Sequence, residues 1–215
     1  MSRLLPRALA LALLLAVALA AVAGAATVRT ARTPAELRAG KAAYEKAIGT
    51  GFAKATKLLD AQLKKDPRKP TVVLDIDETT MSNWDCFDAV DFDLGGLATC
   101  VVTGKSVAFP AAKAFVKHAR AKKVAIAFVT GAPQALCAAR KKNLVAQGIK
   151  GPFTLTCRPA SDTGDSLVPY KSAARKALAK KGASILLNVG DQKSDLAGGS
   201  ARKTVLLPNP IYVSA

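Results

Sequence analysis

The stretch that decides the fold is Val72-Val73-Leu74-Asp75-Ile76-Asp77-Glu78-Thr79-Thr80-Met81-Ser82-Asn83. It begins as an apolar, β-branched run, the pattern of a strand buried on both faces of a parallel sheet. It then breaks into two carboxylates separated by one apolar residue. Alternation along a strand puts Asp75 and Asp77 on the same face, at the carboxyl end of the strand, where open α/β sheets collect their ligands. Carboxylates this close repel unless a cation or a proton is shared, and a metal ion is the simplest resolution. The alternative is a strand that merely runs into an acidic turn, and D-x-D alone does not separate the two.

Downstream of this stretch, apolar strand runs alternate with helical patterns. The run 124–129 closes on Thr130-Gly131-Ala132-Pro133, and a helix over about 134–147 stops at Gly148, a glycine placed to end it. A short strand follows over 153–156. Tyr170-Lys171 opens a basic helix that runs to Lys181-Gly182. The run 185–189 ends at Gly190-Asp191, and a fifth run, 205–207, leads into Pro208-Asn209-Pro210. Upstream, Thr33-Pro34-Ala35-Glu36 reads as a capping box with proline in the first turn. A helical pattern continues from it, pauses at Gly49-Thr50-Gly51, resumes through Leu58, Leu59 and Leu63, and ends at Asp66-Pro67. Strands alternating with helices predict βαβ units and a mainly parallel, Rossmann-like α/β sheet flanked by helices. The irregular segment 83–105, with Trp84, Phe87, Phe92 and paired glycines, breaks the alternation. It reads as a small cap insertion leaning over the carboxylates, although Trp84 suits an ordinary core equally well.

Half of the 215 residues are hydrophobic, enough for a sizeable core in one domain. Part of that apolar count is a leader. Arg3 and Arg7 precede a Leu/Ala run, and Ala23-Gly24-Ala25 supplies an A-x-A cleavage site, so 1–25 reads as a signal peptide and 26–215 as the domain. The run is short for a bilayer span, and no cysteine lies near it for lipid attachment. The expected location is therefore secreted or periplasmic, with no stable membrane anchor after cleavage. Loss of Arg3 and Arg7 takes the formal charge from +17 to +15. That excess favours anionic partners. The basic residues are spread along the whole chain and aromatics are only 5% of it, so no specific nucleic-acid site is indicated. Four cysteines in an exported chain pair in one of three ways. Cys86 with Cys100 and Cys137 with Cys157 is favoured, because each closes a local loop. A loop near fifteen residues gains about 3 kcal/mol by the chain-entropy model. A zinc site is not indicated, since there is no CxxC and His118 is the sole histidine.

Asp75/Asp77, Thr130 and Asp191 each end a separate strand run, and Lys171 opens the helix before the last of these. Through the motifs LDIDETTMSN, FVTG, YKS, GDQKSDL and LPNP, spanning about 70–212, the chain resembles the haloacid dehalogenase (HAD) superfamily of phosphohydrolases. It is most similar to the secreted acid phosphatases of class B and lipoprotein type, subfamily IIIB. The resemblance implies that Asp75 is the nucleophile, Asp77 the general acid/base oriented by Thr79, and Lys171 the cation between Asp75 and the phosphoryl group. It implies phosphate binding by the Thr130 hydroxyl and the Gly131 amide, with Thr79 grouped among the phosphate-binding residues. It also implies Mg2+ held by Asp75, the Asp77 carbonyl and Asp191, with Asp195 behind them. The chain departs from the motif at Ala132, where these enzymes run on into arginine.

The function expected is that of an exported, Mg2+-dependent acid phosphatase acting on small phosphate monoesters, nucleotides among them, through an aspartyl-phosphate. Two other readings stay open at this level. One is a catalytically weakened relative that binds phosphorylated ligands, and the other a basic envelope protein that binds polyanions. Taken singly, Thr130 suits a turn, Lys171 a solvated helix face and Asp195 a helix N-terminus. Their order along the chain is what argues for a site.

Overall fold

The computed structural model describes residues 27–214, and the leader expected over 1–25 lies outside the described residues. In chain order these residues form β1 (Thr27–Arg29), α1 (Pro34–Leu63), β2 (Pro70–Leu74), β3 (Met81–Ser82), α2 (Trp84–Asp88), α3 (Gly96–Thr103) and β4 (Val107–Ala108). Next come α4 (Pro110–Ala121), β5 (Ala125–Pro133), a 3-10 turn (Gln134–Leu136), α5 (Cys137–Ala146) and β6 (Thr154–Arg158). The chain closes with α6 (Val168–Lys180), β7 (Ser184–Gly190), α7 (Lys193–Leu196), β8 (Lys203–Leu206) and β9 (Tyr212–Ser214).

Five strands form one sheet in the order β6-β5-β2-β7-β8, every neighbouring pair parallel. Strand β2 lies at its centre, so the apolar run ahead of Asp75 is covered on both faces. Val72 and Leu74 join the larger core, with α1 and α4 residues such as Phe52, Leu59 and Phe115. Val73 points the other way, into a smaller cluster with Ala127, Val129 and Ile185, against which Tyr170, Ala174 and Leu178 of α6 pack. The two-residue alternation of a strand thus sorts neighbouring residues into two helical layers. Two short antiparallel pairs, β1 with β9 and β3 with β4, complete the topology. Among the described residues no helix is long and apolar enough to cross a membrane.

Three sequence expectations shift. The first helix does not pause at Gly49-Thr50-Gly51; α1 is continuous over Pro34–Leu63. Its capping box is present, with the Glu36 carboxylate accepting from the Thr33 amide at 2.7 Å. Gly51 serves packing instead: a Cβ there would lie 2.2 Å from a Leu207 methyl. Burial of the helix face outweighs the weak helix propensity of two glycines. Strand β5 runs on through Gly131 to Pro133 rather than stopping at Val129. Trp84 belongs to the core, 3% exposed, stacked on Tyr44 and edge-on to Phe92.

The segment expected as an insertion forms α2 and α3, joined by the Cys86–Cys100 disulfide. The second bridge, Cys137–Cys157, ties the start of α5 to β6. These are the pairs that local loop closure favours, with Cα–Cα separations of 5.7 and 5.8 Å.

Candidate active site

Asp75 and Asp77 follow directly on the central strand, and both open on a cavity of about 110 Å³ at the carboxyl edge of the sheet. Lys171 and Asp191 line the same cavity, as do Gly131 and Ala132. Its apolar side comes from Leu97 and Val101 of α3, with Leu136 and Leu167. The chain ends of three strands, the second turn of α6 and the disulfide-joined segment thus converge on one space.

The two carboxylates of the D-x-D pair receive different cations. Lys171 donates to Asp75 at 3.0 Å and also to the Asp195 carboxylate, with all three side chains almost wholly buried. Asp77 turns the other way, accepting from the guanidinium of Arg140 and, at 2.8 Å, from the amide of Asn83. The side-chain Oδ1 of Asn83 accepts from the Ser106 hydroxyl at 2.6 Å, and the Arg140 Nη1 lies 3.5 Å from the same hydroxyl. Asp77, Asn83, Ser106 and Arg140 therefore close a ring of polar contacts under the cap.

On the Asp75 side, carboxylate oxygens of Asp75, Asp191 and Asp195 lie within 4.8 Å of one another. Burial raises the Asp75 carboxyl well above the usual range, against the pull of the Lys171 ammonium. Burial likewise pushes Asp191 up to about 6, the Asp195 charge adding to it. Lys171 is held protonated by Asp195 and Asp75 despite its burial. One ammonium beside three buried carboxylates leaves an excess of negative charge, and oxygen-only donors suit a hard divalent cation. The hydrogen bonds of Asp191 leave room for one. Thr79 donates to its Oδ1 at 2.7 Å, while Gln192 and Asn209 donate to Oδ2 at 2.6 and 2.8 Å. Three of about four lone-pair positions are filled and one at Oδ1 is free.

Local backbone features fix this arrangement. Gln192 caps the short helix α7 through its exchange with Asp195, whose Oδ2 accepts from the Gln192 amide at 2.8 Å. The close return of Asp195 requires a glycine at 190, where a Cβ would meet the Asp195 Cβ at 2.3 Å. Glu78 stands at φ 52°, in the left-handed region that costs a non-glycine residue energy. Its carboxylate is held by the Tyr44 hydroxyl at 2.7 Å and the backbone N–H of Asn83 at 2.8 Å, and burial pushes it up to about 7. Helix α1 is thereby fastened to the site. Thr130 is fully buried, with its hydroxyl accepting from the Ala132 amide at 3.1 Å and its carbonyl from Tyr170 at 3.1 Å.

The sequence-expected residues Asp75, Asp77, Gly131, Lys171 and Asp191 all border the cavity, while Asp195 and Thr79 stand one contact behind it. Thr79 does not orient Asp77 and is not free for phosphate. It is fully buried on Asp191, because the turn after Asp77 carries its hydroxyl toward the end of β7. Asn83 and Arg140 take over Asp77. Four polar residues were not singled out from sequence: Asn83, Arg140, Gln192 and Asn209. Arg140 sits in an Arg-Lys-Lys run that reads as a solvated face. The signal that picks it out is its place between Leu136 and Leu144, at i−4 and i+4 on the apolar face.

Comparisons with known proteins agree with this geometry. The model of the HAD superfamily, subfamily IIIB (acid phosphatase), matches residues 7–215. Acid phosphatase 1 of Solanum lycopersicum is 28% identical over 158 residues, covering 68% of this chain and 60% of that protein. The chain thus spans about 60% of that relative's length. Vegetative storage protein 2 of Arabidopsis thaliana is 42% identical over 72 residues, 33% of this chain and 26% of that one. Among solved structures, the class C acid phosphatase from Bacillus anthracis shares the fold at a TM-score of 0.67 and 20% identity, covering 93% of this chain and 86% of that chain. The same enzyme with tungstate bound aligns at 0.64 and 22% identity over 79% of each chain.

Proposed function

The chain belongs to the HAD superfamily, subfamily IIIB (acid phosphatase), and on that premise we propose that it is an exported, Mg2+-dependent acid phosphatase of small phosphate monoesters. The observation that carries this reading is the buried Asp75 at the end of the central strand, paired with Lys171 and grouped with Asp191 and Asp195.

In this mechanism an Asp75 oxygen attacks phosphorus, the bond from phosphorus to the ester oxygen breaks, and Asp77 gives its proton to the departing alkoxide. Water then hydrolyses the aspartyl-phosphate, with Asp77 taking the proton back. Lys171 holds charge on Asp75 down as the dianion approaches. The Gly131 amide offers a phosphoryl oxygen a donor, and Thr130, braced by Ala132 and Tyr170, sets the position of that turn. Asp75, the Asp77 carbonyl and Asp191 would hold Mg2+, and Asp195 would steady Lys171 from behind. The bound ion would neutralise the carboxylates and polarise the phosphoryl oxygens. Leu97, Val101, Leu136 and Leu167 exclude water around the transferring group, which strengthens each of these electrostatic contacts.

The test is hydrolysis of a panel of phosphomonoesters by the mature protein, with and without excess chelator. Turnover that disappears on chelation and returns with magnesium is expected. Turnover undiminished in chelator, with no metal by elemental analysis, would exclude the metal part of the reading. No turnover on any ester, with intact oxyanion binding, would favour the ligand-binding relative.

A further inference from the structure

The single charge of Lys171 is shared between the buried carboxylates Asp75 and Asp195, with Asp191 beside them, so a substrate dianion entering the cavity gains from a second source of positive charge. Two guanidiniums line the cavity, Arg140 and Arg158, and both are nearly inaccessible to solvent. They are not equivalent. Arg158 is turned to the partly exposed Asp162, at 3.2 Å, and to the Gly164 carbonyl. Arg140 is 1% exposed and meets Asp77 through Nη2, and its Nη1 reaches only a 3.5 Å contact with Ser106. Its Nε is buried with no hydrogen-bond partner among the described residues, as is the Nε of Arg158, so what separates the two is that Arg140 alone rests on a carboxylate of the D-x-D pair. A buried donor left unmade is costly unless a ligand supplies the acceptor.

Position strengthens the argument. Asp77 is the group placed to protonate the ester oxygen, and that oxygen is bonded to the phosphorus under attack. A guanidinium resting on Asp77 is therefore within the breadth of one phosphoryl group of its oxygens. Arginine offers five donors in a planar fork, so one edge can hold a carboxylate while another takes an oxyanion. The ring through Asn83 and Ser106 fixes Arg140 against the cap. The Cys137–Cys157 bridge fixes the helix that carries it, one turn before the arginine.

We infer that Arg140 is the phosphate-binding cation of this site, bridging Asp77 and a phosphoryl oxygen. It occupies from the side of α5 the space left uncharged by Ala132. The inference rests on the phosphatase reading and goes beyond it in assigning a substrate contact to a residue outside every motif.

The experiment is calorimetric titration of tungstate, a non-hydrolysed oxyanion, into the full-length mature protein in magnesium, alongside kinetics on a small phosphomonoester. Arg140→Met should weaken tungstate binding roughly ten-fold or more, with KM rising in parallel. Arg140→Lys, which keeps the charge but loses the fork, should fall between the two, and it decides the matter if the methionine variant does not fold. Tungstate affinity within two-fold of wild type in either folded variant overturns the inference. If that happens while wild type hydrolyses esters, the phosphatase reading stands without it. Failure of wild type to bind tungstate and to turn over overturns both.

Discussion

Asp75 and Asp77 are two residues apart in sequence, yet they belong to two different halves of the molecule. Asp75 faces the sheet side, where its partners Lys171, Asp191 and Asp195 come from the ends of neighbouring β and α elements. Asp77 faces the cap side, where Asn83, Ser106 and Arg140 come from loops and a helix held by disulfides. The first half carries an excess of carboxylate and calls for a cation. The second is a one-to-one pair inside a closed ring that still leaves the Arg140 Nε without a partner among the described residues. In the proposed mechanism the same residue type takes two tasks: nucleophile beside a carboxylate group able to hold a metal, and proton carrier beside an arginine. Environment rather than residue identity divides the roles.

The sharpest way to break this comparison is to neutralise each carboxylate in turn. Asp75→Asn should lower turnover of every phosphomonoester by at least about a thousand-fold, since no nucleophile remains. Asp77→Asn should cost roughly 10²–10⁴-fold on alkyl phosphates and much less on aryl phosphates, whose leaving groups depart without a proton. Equal losses on both ester classes in the two variants would mean that the halves do not have separate tasks. Steady-state kinetics with one alkyl and one aryl ester decides it.

Next in size is the removal of the shared ammonium. Lys171→Met leaves Asp75 and Asp195 buried without their counter-ion, and breaking such a pair costs about 3–5 kcal/mol. Urea denaturation in chelator should show that loss, and magnesium should restore part of it. A variant as stable as wild type in chelator would show that the sheet side tolerates its excess charge unaided.

The buried acids also predict a pH dependence. Glu78 and Asp191 are raised by burial, to about 7 and about 6, so the folded state holds their protons more tightly than the unfolded chain. Their contribution is fully present below the unfolded carboxyl range and is lost as pH rises through 6 to 7. The metal-free protein should therefore be more stable near pH 5 than near pH 7.5, by on the order of 2 kcal/mol for Glu78 and about 1 kcal/mol for Asp191, whose folded value lies only about one pH unit above 5. Magnesium should shrink the part due to Asp191 and leave that of Glu78. Thermal melts across this range, with and without the ion, make the measurement. A flat profile would place both acids in a less demanding environment than their burial implies.

The smallest effect is expected at Ala132. With Arg140 already on the cap side of the cavity, an arginine at 132 brings a second guanidinium to an occupied place. Ala132→Arg should change KM by no more than about three-fold, against the ten-fold gain that a well-placed arginine contact supplies. A ten-fold fall in KM would show that Arg140 does not serve the phosphate and that the sequence departure is a real deficit.

Much of the sheet side was legible because its chemistry is written locally. An apolar run followed at once by Asp75, Thr130 or Gly190-Asp191 marks a strand end, and parallel topology brings strand ends together at one edge. The cap side was not legible in this way. Trp84 was equally compatible with lid and core. Only the packing of α1 across it, through Tyr44, decides for core. Gly49 and Gly51 looked like a break in a helix, whereas Gly51 gives room to Leu207, far away in the chain. The family resemblance assigns Thr79 to Asp77, and the turn sends its hydroxyl to Asp191 instead.

What the sequence determined by itself is the order of the strands' polar ends, the capping of α1 and the family, and it favoured the local pairing of the cysteines that the structure shows. Each depends on residues close together or on a pattern repeated at a fixed period. What only the tertiary structure decided is which cation serves which carboxylate. Arg140 and Lys141 are adjacent basic residues with the same local propensities, yet one is buried on Asp77 and the other is not buried. That choice is made by the docking of α5 between the cap and β6. Electrostatic pairing depends on distance and desolvation in three dimensions, to which neighbouring positions in the chain give no measure.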